Sequence, residues 1–378
     1  MTTGPWAGLR VVELAGLTGA YATRLWAALG AEVIVVEPPE GHLLRHLPPL
    51  VPDHDGPEAS LWWAFFAQGK CSVVVKPGDV DTMARIVAGA DVVIGDVAPT
   101  VGPLQPAHDG QVVVAISPFG ATGPRRTWKG SELVAWASAG LLHTFGFPDR
   151  APVGPAMPVQ FAAHVTSLYA LNAALLALRV RRRTGRGQVV DLSMQECCLS
   201  LAPETGLSLY LDDRVPRGRP GNRRAVTRPW GLYPCADGYV SFLVLQPAHW
   251  RAMATWIAEA TGMDAVLDPA FEDMRVRWEV ADFMDEMTEA LTRPRTKLDV
   301  FTEGQRRGIP VTPVNTVADL RNDPHLRSAG FWREEQHPVL GHLSGPGAPF
   351  RVNHDWWHWA SAPRLGEHTA EVEKSLWE

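Results

Sequence analysis

The chain is poor in cysteine, with Cys71, Cys197, Cys198 and Cys235 among 378 residues. None forms a C-x-x-C pair, and the adjacent Cys197 and Cys198 do not suit an ordinary disulfide. They read as small buried residues in a reducing cytoplasm, and no metal is expected. No run of about 18 apolar residues occurs, so no membrane span is expected. The start, MTTGPWAGLRVVEL, lacks the pattern of a secretory leader. Excess positive charge is missing too. The 35 Lys and Arg face 41 Asp and Glu, a net charge of -6 that gives no basis for nucleic-acid binding. The G-x-G-x-x-G fingerprint of dinucleotide sites is absent. Finally, no Asp or Glu stands between Arg150 and Gln188.

What is present is an ordinary soluble composition, 46% hydrophobic and 20% charged, with an unusual 15 tryptophans. The chain is long enough for one large or two ordinary domains. Gly8–Leu14 reads as a buried strand, followed by a loop over 15–20 and a helix from Tyr21 to Leu29. A second strand runs over Ala31–Glu37 and ends on an acid, making a βαβ unit. Further strands are expected at Ser72–Val75, Asp91–Ile94 and Val112–Ile116, with a helix at Asp81–Ala88. This alternation predicts a parallel, helix-covered sheet. Ser117–Pro124 is a Gly/Pro loop at a strand end. Helical stretches cover Ser131–Leu142 and Ala162–Arg183, the latter becoming basic at Arg179, Arg181, Arg182 and Arg183. Thr184-Gly185-Arg186-Gly187-Gln188 then turns into the strand Val189–Ser193, as suits a helix with cations in its last turn and a glycine exit.

The texture changes at the basic, proline-rich segment 215–228, a linker or extended loop. A hairpin around Cys235–Gly238, helices from His249 to Leu291 and a strand over Gly308–Val314 suggest a smaller domain. The expected division is 1–214 for the first part of a large domain, 215–228 for the linker, 229–320 for the small domain, and 321–378 for a return to the large one. The tail Val339–Arg364 reads as loop, with Trp356, Trp357 and Trp359 forming an aromatic contact surface or a core plug.

Several blocks in order along the chain resemble the family III CoA-transferases, the group of formyl-CoA transferase, carnitine CoA-transferase and acyl-CoA racemase. They include Gly8–Leu14, Leu29–Pro38, Gly41–Arg45, Ser117–Pro124, Thr184–Gln188, Asp237-Gly238, Arg307–Pro310, Asp323-Pro324 and Ala362–His368. The resemblance implies an α/β fold, with a Rossmann-like large domain plus a small domain, in an interlocked dimer. It implies acyl-CoA and carboxylic acids as substrates, coenzyme A being the group carried, and a cytoplasmic protein without nucleic-acid or membrane partners. In that family an aspartate carboxylate attacks the acyl-CoA thioester, giving an enzyme-bound anhydride and free CoA thiolate, which then returns to make an enzyme thioester. Backbone donors stabilise the developing oxyanions.

The family's spacing puts that aspartate at Ala163, or at Ala162 on the racemase branch. The racemase histidine is likewise replaced, in Gly130-Ser131-Glu132. The remaining candidates for catalytic roles are Glu132, His164 and Gln160. Each also has an ordinary reading, such as an acid favoured at a helix start for Glu132. Thr18, Gly19, Arg45, Lys76 and Lys129 are the candidates for binding the CoA moiety. Two assemblies are implied: a homodimer, or a heterodimer in which a catalytic sister subunit brings the aspartate.

Overall fold

The first strand, Arg10–Leu14 (β1), is RVVEL, and its alternate residues face opposite ways. Val11 packs with Val33, Ile94, Val114 and the Ala22–Trp26 side of a helix. Val12 packs with Ile34, Val73, Val93 and Ile86 on the other face. A strand buried on both faces belongs to a parallel sheet covered by helices, and the computed structural model has that sheet. It describes residues 4–52, 54–97, 104–154, 160–201, 219–223 and 226–374. The other strands are β2 (Glu32–Glu37), β3 (Cys71–Val74), β4 (Val92–Asp96), β5 (Val112–Ser117) and β6 (Val189–Ser193). They pair in parallel in the order β3-β2-β1-β4-β5-β6.

The helices that matter for the site are α1 (Leu17–Ala28), α2 (Leu61–Phe66), α3 (Val80–Ala88), α4 (Glu132–Ser138), α5 (Phe161–Thr184) and α6 (Met194–Ser200). The helix α5 is long and apolar enough to cross a membrane by length and composition, which corrects the expectation that no such segment exists. Its Ala162, Ala170, Ala174 and Ala177 side lies in the core with Trp26 and the β5 valines.

The TGRGQ turn has two glycines for two reasons. Gly185 closes α5 at φ 73°, in the left-handed region. At Gly187 a Cβ would stand 1.9 Å from the Gln111 carbonyl oxygen, because the chain crosses close to the start of β5. Arg181 in the last turn pairs with Asp91 at 2.7 Å.

By its contacts the chain divides into two units. The first comprises Met1–Leu142, Gly154–Val215 and Gly330–Glu378, and the second His143–Val153 and Pro216–Ala329. Residues 215–218 and 224–225 of the expected linker over 215–228 lie outside the described residues. The second unit has a three-stranded antiparallel sheet of β7 (Trp230–Cys235), β8 (Gly238–Leu243) and β9 (Val311–Pro313). Its core joins Tyr233, Phe242, Trp250, Met253, Met284 and Leu291. The buried Arg228 pairs with Asp285, which also accepts from the Tyr233 hydroxyl at 2.8 Å, so the segment entering β7 is tied to the helix Ala281–Thr292.

Two local expectations are corrected. The stretch 15–20 is not all loop: α1 starts at Leu17, so Thr18 and Gly19 sit in its first turn. The tail is not all loop either. Trp332–His337 (β10) and Gly341–Pro346 (β11) form an antiparallel hairpin in the first unit. Beyond it, Trp357 is buried against Leu25, Ala28 and Leu29 of the α1 segment and stacks on Trp359 at 5.7 Å. The Trp357 side chain is thus a core plug.

Candidate functional site

Open parallel sheets receive ligands beyond the carboxyl ends of their strands, where the strand order reverses. Here β1 has β2 on one side and β4 on the other, so the crevice opens past Leu14 and Asp96. The β1–α1 turn is held by Asp96: the Gly16 N–H donates to Oδ2 at 2.7 Å, and the Thr18 hydroxyl donates to Oδ1. Gly19 is fixed by packing, since a Cβ there would lie 2.6 Å from Ala15 Cβ and 3.2 Å from Ile94 Cδ1. His42 donates from Nε2 to the Ala15 carbonyl at 3.1 Å, and its Nδ1 accepts from the Leu44 N–H.

The second group forms where α5 begins. The N-cap residue of α5 is Gln160, whose side chain makes no capping bond. Glu132, at the start of α4, supplies one instead. Its Oε1 accepts from the Ala162 N–H at 2.7 Å and from the Trp136 indole N–H at 2.7 Å, and its Oε2 accepts from the Ala163 N–H at 3.0 Å. A carboxylate on the second and third helical amides is the arrangement the helix dipole favours. The i,i+4 spacing of Glu132 and Trp136 brings the indole onto the same side of α4. Gln160, Glu132 and the two alanines at the aspartate position therefore form one cluster.

His164 lies one turn further on. Its Nδ1 donates to the Gln160 carbonyl, which leaves Nε2 as the lone-pair nitrogen of the neutral ring. The ring sits 5.7 Å from Tyr21 of α1 and 5.5 Å from Phe66 of α2. Next to it, Ser167 Oγ accepts from the Ala22 N–H at 2.8 Å. The same stretch of α5 thus carries Glu132's amide partners and docks on α1.

The cationic candidates separate. Arg45 is interior: its side chain is 0% exposed, as is that of Glu37, with Nε 2.6 Å and Nη2 2.8 Å from the carboxylate oxygens. It stacks 3.6 Å from the Trp63 ring centroid and donates to the Pro363 carbonyl. A guanidinium so engaged stabilises the end of β2 from inside and presents no open face to a phosphate. Lys76 is exposed on the wall of a cavity of about 480 Å³ at the ends of β2 and β3, with Leu14, Val36, Pro38, Val75 and Met83 as apolar lining. That is a size and character suited to a small organic group. Lys129 is exposed after the Ser117–Pro124 loop, whose turn is held by Ser117 Oγ accepting from the Gly120 N–H at 2.8 Å.

Cys197 and Cys198 are buried, and burial pushes their thiols up to about 11 and about 12, so neither is a ready thiolate. All four cysteines are free. Among the described residues no group of His, Cys, Asp or Glu could hold a metal ion. The roles of Asp96 and Trp136 were not foreseen in the sequence. An acid closing a strand at the switch point, and an indole four residues after an acid at a helix start, were the available signals.

The fold and this crevice define a doubly wound nucleotide-type α/β protein with a carboxylate lodged at a helix start. The family description "CoA-transferase family III" matches residues 6–369, and the chain belongs to that family. It is 30% identical to the succinyl-CoA:(R)-benzylsuccinate CoA-transferase subunit BbsE of Thauera aromatica, over 96% of this chain and 92% of that protein. It is 27% identical to the succinyl-CoA–L-malate CoA-transferase alpha subunit of Chloroflexus aurantiacus, over 98% of this chain and 89% of that protein. Among solved structures, a CAIB/BAIF family protein from Brucella suis superposes with a TM-score of 0.85 at 25% identity, covering 98% of this chain and 99% of that one.

Proposed function

We propose that this chain is an acyl-CoA-binding subunit of a heteromeric CoA-transferase, in which a sister chain contributes the covalent carboxylate. One observation carries the reading. Where the family's aspartate is expected stand Ala162 and Ala163, and Glu132, the carboxylate bound there, has both oxygens tied to backbone amides and an indole. Glutamine at 160 cannot form an anhydride, and the buried cysteines do not replace it. That two of the relatives are subunits of CoA-transferases supports the same reading. The crevice, with Thr18, Gly19 and Lys76 along it, is retained to hold the CoA portion of a thioester, and the sister chain interlocks with this one. The acyl chain and the acceptor acid lie with the pair rather than with this chain alone, in the cytoplasm.

The test is mass spectrometry of the purified chain after incubation with succinyl-CoA, with and without hydroxylamine, alone and with the aspartate-bearing sister. The expected result is CoA binding by this chain without a mass adduct, and an adduct on the sister once the two are combined. An adduct on this chain alone that disappears in Glu132→Gln would overturn the reading and make Glu132 the nucleophile.

A further inference from the structure

Away from the crevice, a cavity of about 200 Å³ lies within the first unit. It is bounded by α1, α2 and the β10–β11 hairpin, and Arg24, Phe65, Gln68, Arg333, Glu335 and Leu343 line it. Arg24 is 3% exposed. It donates from Nε to the Phe65 carbonyl at 2.8 Å and from Nη2 to Gln68 Oε1 at 2.9 Å, and it stacks 4.0 Å from the Phe65 ring centroid. Arg333 stacks 4.8 Å from the Trp359 ring, which also lies 5.3 Å from the Arg24 guanidinium.

The charges do not balance. Two guanidiniums line the cavity, and one carboxylate, Glu335, answers them. Its Oε2 accepts from Arg333 and, at 2.8 Å, from Gln68 Nε2. The nearby Lys70 does not alter the count, since it pairs with Glu13 at 2.7 Å. Burial, with the Arg333 charge adding to it, brings Arg24 down to about 10, still protonated at neutral pH. One positive charge in a half-open space is left over, and the charge on the buried Arg24 is expensive unless paired. The space amounts to roughly seven waters at about 30 Å³ each. Its other walls are mostly apolar, with Leu61, Ala64, Phe65, Leu343 and Pro346 beside Ser344 and Gly345.

We propose that this cavity binds a small monocarboxylate, its carboxylate held by Arg333 and Arg24 and its short apolar body lying against Phe65 and Leu343. A planar carboxylate suits a guanidinium fork. One negative charge matches the one left over, and an apolar body matches walls that a strongly hydrated phosphate would not favour. Arg333, with its side chain 17% exposed, provides the open side. Such a ligand would tie the hairpin to α1, outside the CoA crevice.

Calorimetric titration of the full chain with butyrate tests this, with inorganic phosphate and chloride at equal ionic strength as comparisons. Saturable butyrate binding is expected, without an equivalent response to the other two anions. Arg333→Gln should weaken it by about tenfold or more, the loss of one charge-assisted hydrogen-bonding group. Gly345→Leu should abolish it by filling the space, since a Cβ at Gly345 meets nothing within 4 Å and the backbone accepts the change. Circular dichroism and an unchanged affinity for CoA in both variants show that the fold and the crevice are intact. No saturable heat, equal responses to all three anions, or butyrate binding that survives Gly345→Leu would overturn the proposal. None of these outcomes bears on the crevice.

Discussion

Two helices begin at the crevice without a cap of their own, and they solve the problem differently. Elsewhere in the first unit, helix starts carry Ser60, Asp79, Ser131 or Ser193, whose side chains accept from amides of the first turn. The N-cap residue of α1 is Gly16 and that of α5 is Gln160, and neither makes such a bond. Each borrows a carboxylate from another element. Asp96, at the exposed end of β4, holds the N-cap amide and the Thr18 hydroxyl of α1. Glu132 holds the amides of the second and third residues of α5, Ala162 and Ala163. Those two amides are the ones an anion at a helix start would take. At α5 they are already filled from within the chain, whereas at α1 the borrowed acid fastens the turn by other groups. The difference is the structural side of the reading proposed above, with the crevice beside α1 left open and the α5 amides filled.

The comparison can first be scaled against a fully interior acid. Glu37 is buried with Arg45, and Glu37→Gln should cost about 3 kcal/mol by leaving the buried guanidinium with only the more distant Glu58 carboxylate at 3.6 Å, read by urea denaturation. Burial pushes the Glu37 carboxyl up, but the hydrogen bond and charge of Arg45, then Ser72 and the His42 N–H, more than offset this and hold it below the ordinary 4.5. A carboxyl whose pKa is lowered by folding stabilises the protein fully above its unfolded value and loses that contribution as pH falls through its folded value. The stability gap between the native chain and Glu37→Gln should therefore be constant near neutrality and close as the pH drops below 4.5. A gap that widened with acid would refute the assignment. Next in size, Glu132→Ala should cost about 2–3 kcal/mol, because two amides and an indole lose their acceptor together. Glu132→Gln, which keeps one acceptor oxygen, should recover about half of that loss. Equal losses in the two variants would mean that the carboxylate's second oxygen does nothing.

How much of this was legible beforehand depends on the range of the interaction. The parallel sheet was readable because strands such as VVVAIS are apolar on both faces, a local property. The glycine turn after α5 was readable for the same reason, although the clash that forbids a side chain at Gly187 involves Gln111, far away in sequence. The borrowed caps were not readable. Glu132 and Ala162 are thirty positions apart and Thr18 and Asp96 seventy-eight, and nothing local marks an acid as serving another helix. Arg45 misled for a related reason, since a cation near a strand end reads as a phosphate partner until its buried acid is seen. The β10–β11 hairpin was obscured because WREEQH is mostly polar and shows no apolar alternation.

At α1 the effects should be smaller. Asp96→Ala should cost about 1 kcal/mol, near the usual value for a cap, because water reaches the strand end and replaces part of what is lost. It should cost clearly less than Glu132→Ala in the same denaturation series. The smallest change is Thr18→Val, which removes a hydroxyl and keeps the shape. The hydroxyl has one partner, Asp96 Oδ1, while Gly16 holds the other oxygen at 2.7 Å. A single hydrogen bond is worth about 0.5–1.5 kcal/mol net, and with Asp96 at an exposed position the lower end applies. The same variant separates a structural role from a binding one. If Thr18 only fastens the turn, CoA affinity measured by calorimetry should follow the small stability change. If its hydroxyl also reaches the bound thioester, affinity should fall several-fold further than the change in stability accounts for. In Asp96→Ala the hydroxyl is freed and the turn is loosened, so the two variants should then move CoA affinity by different amounts. Identical affinities in both would restrict the Thr18–Asp96 bond to holding the helix start.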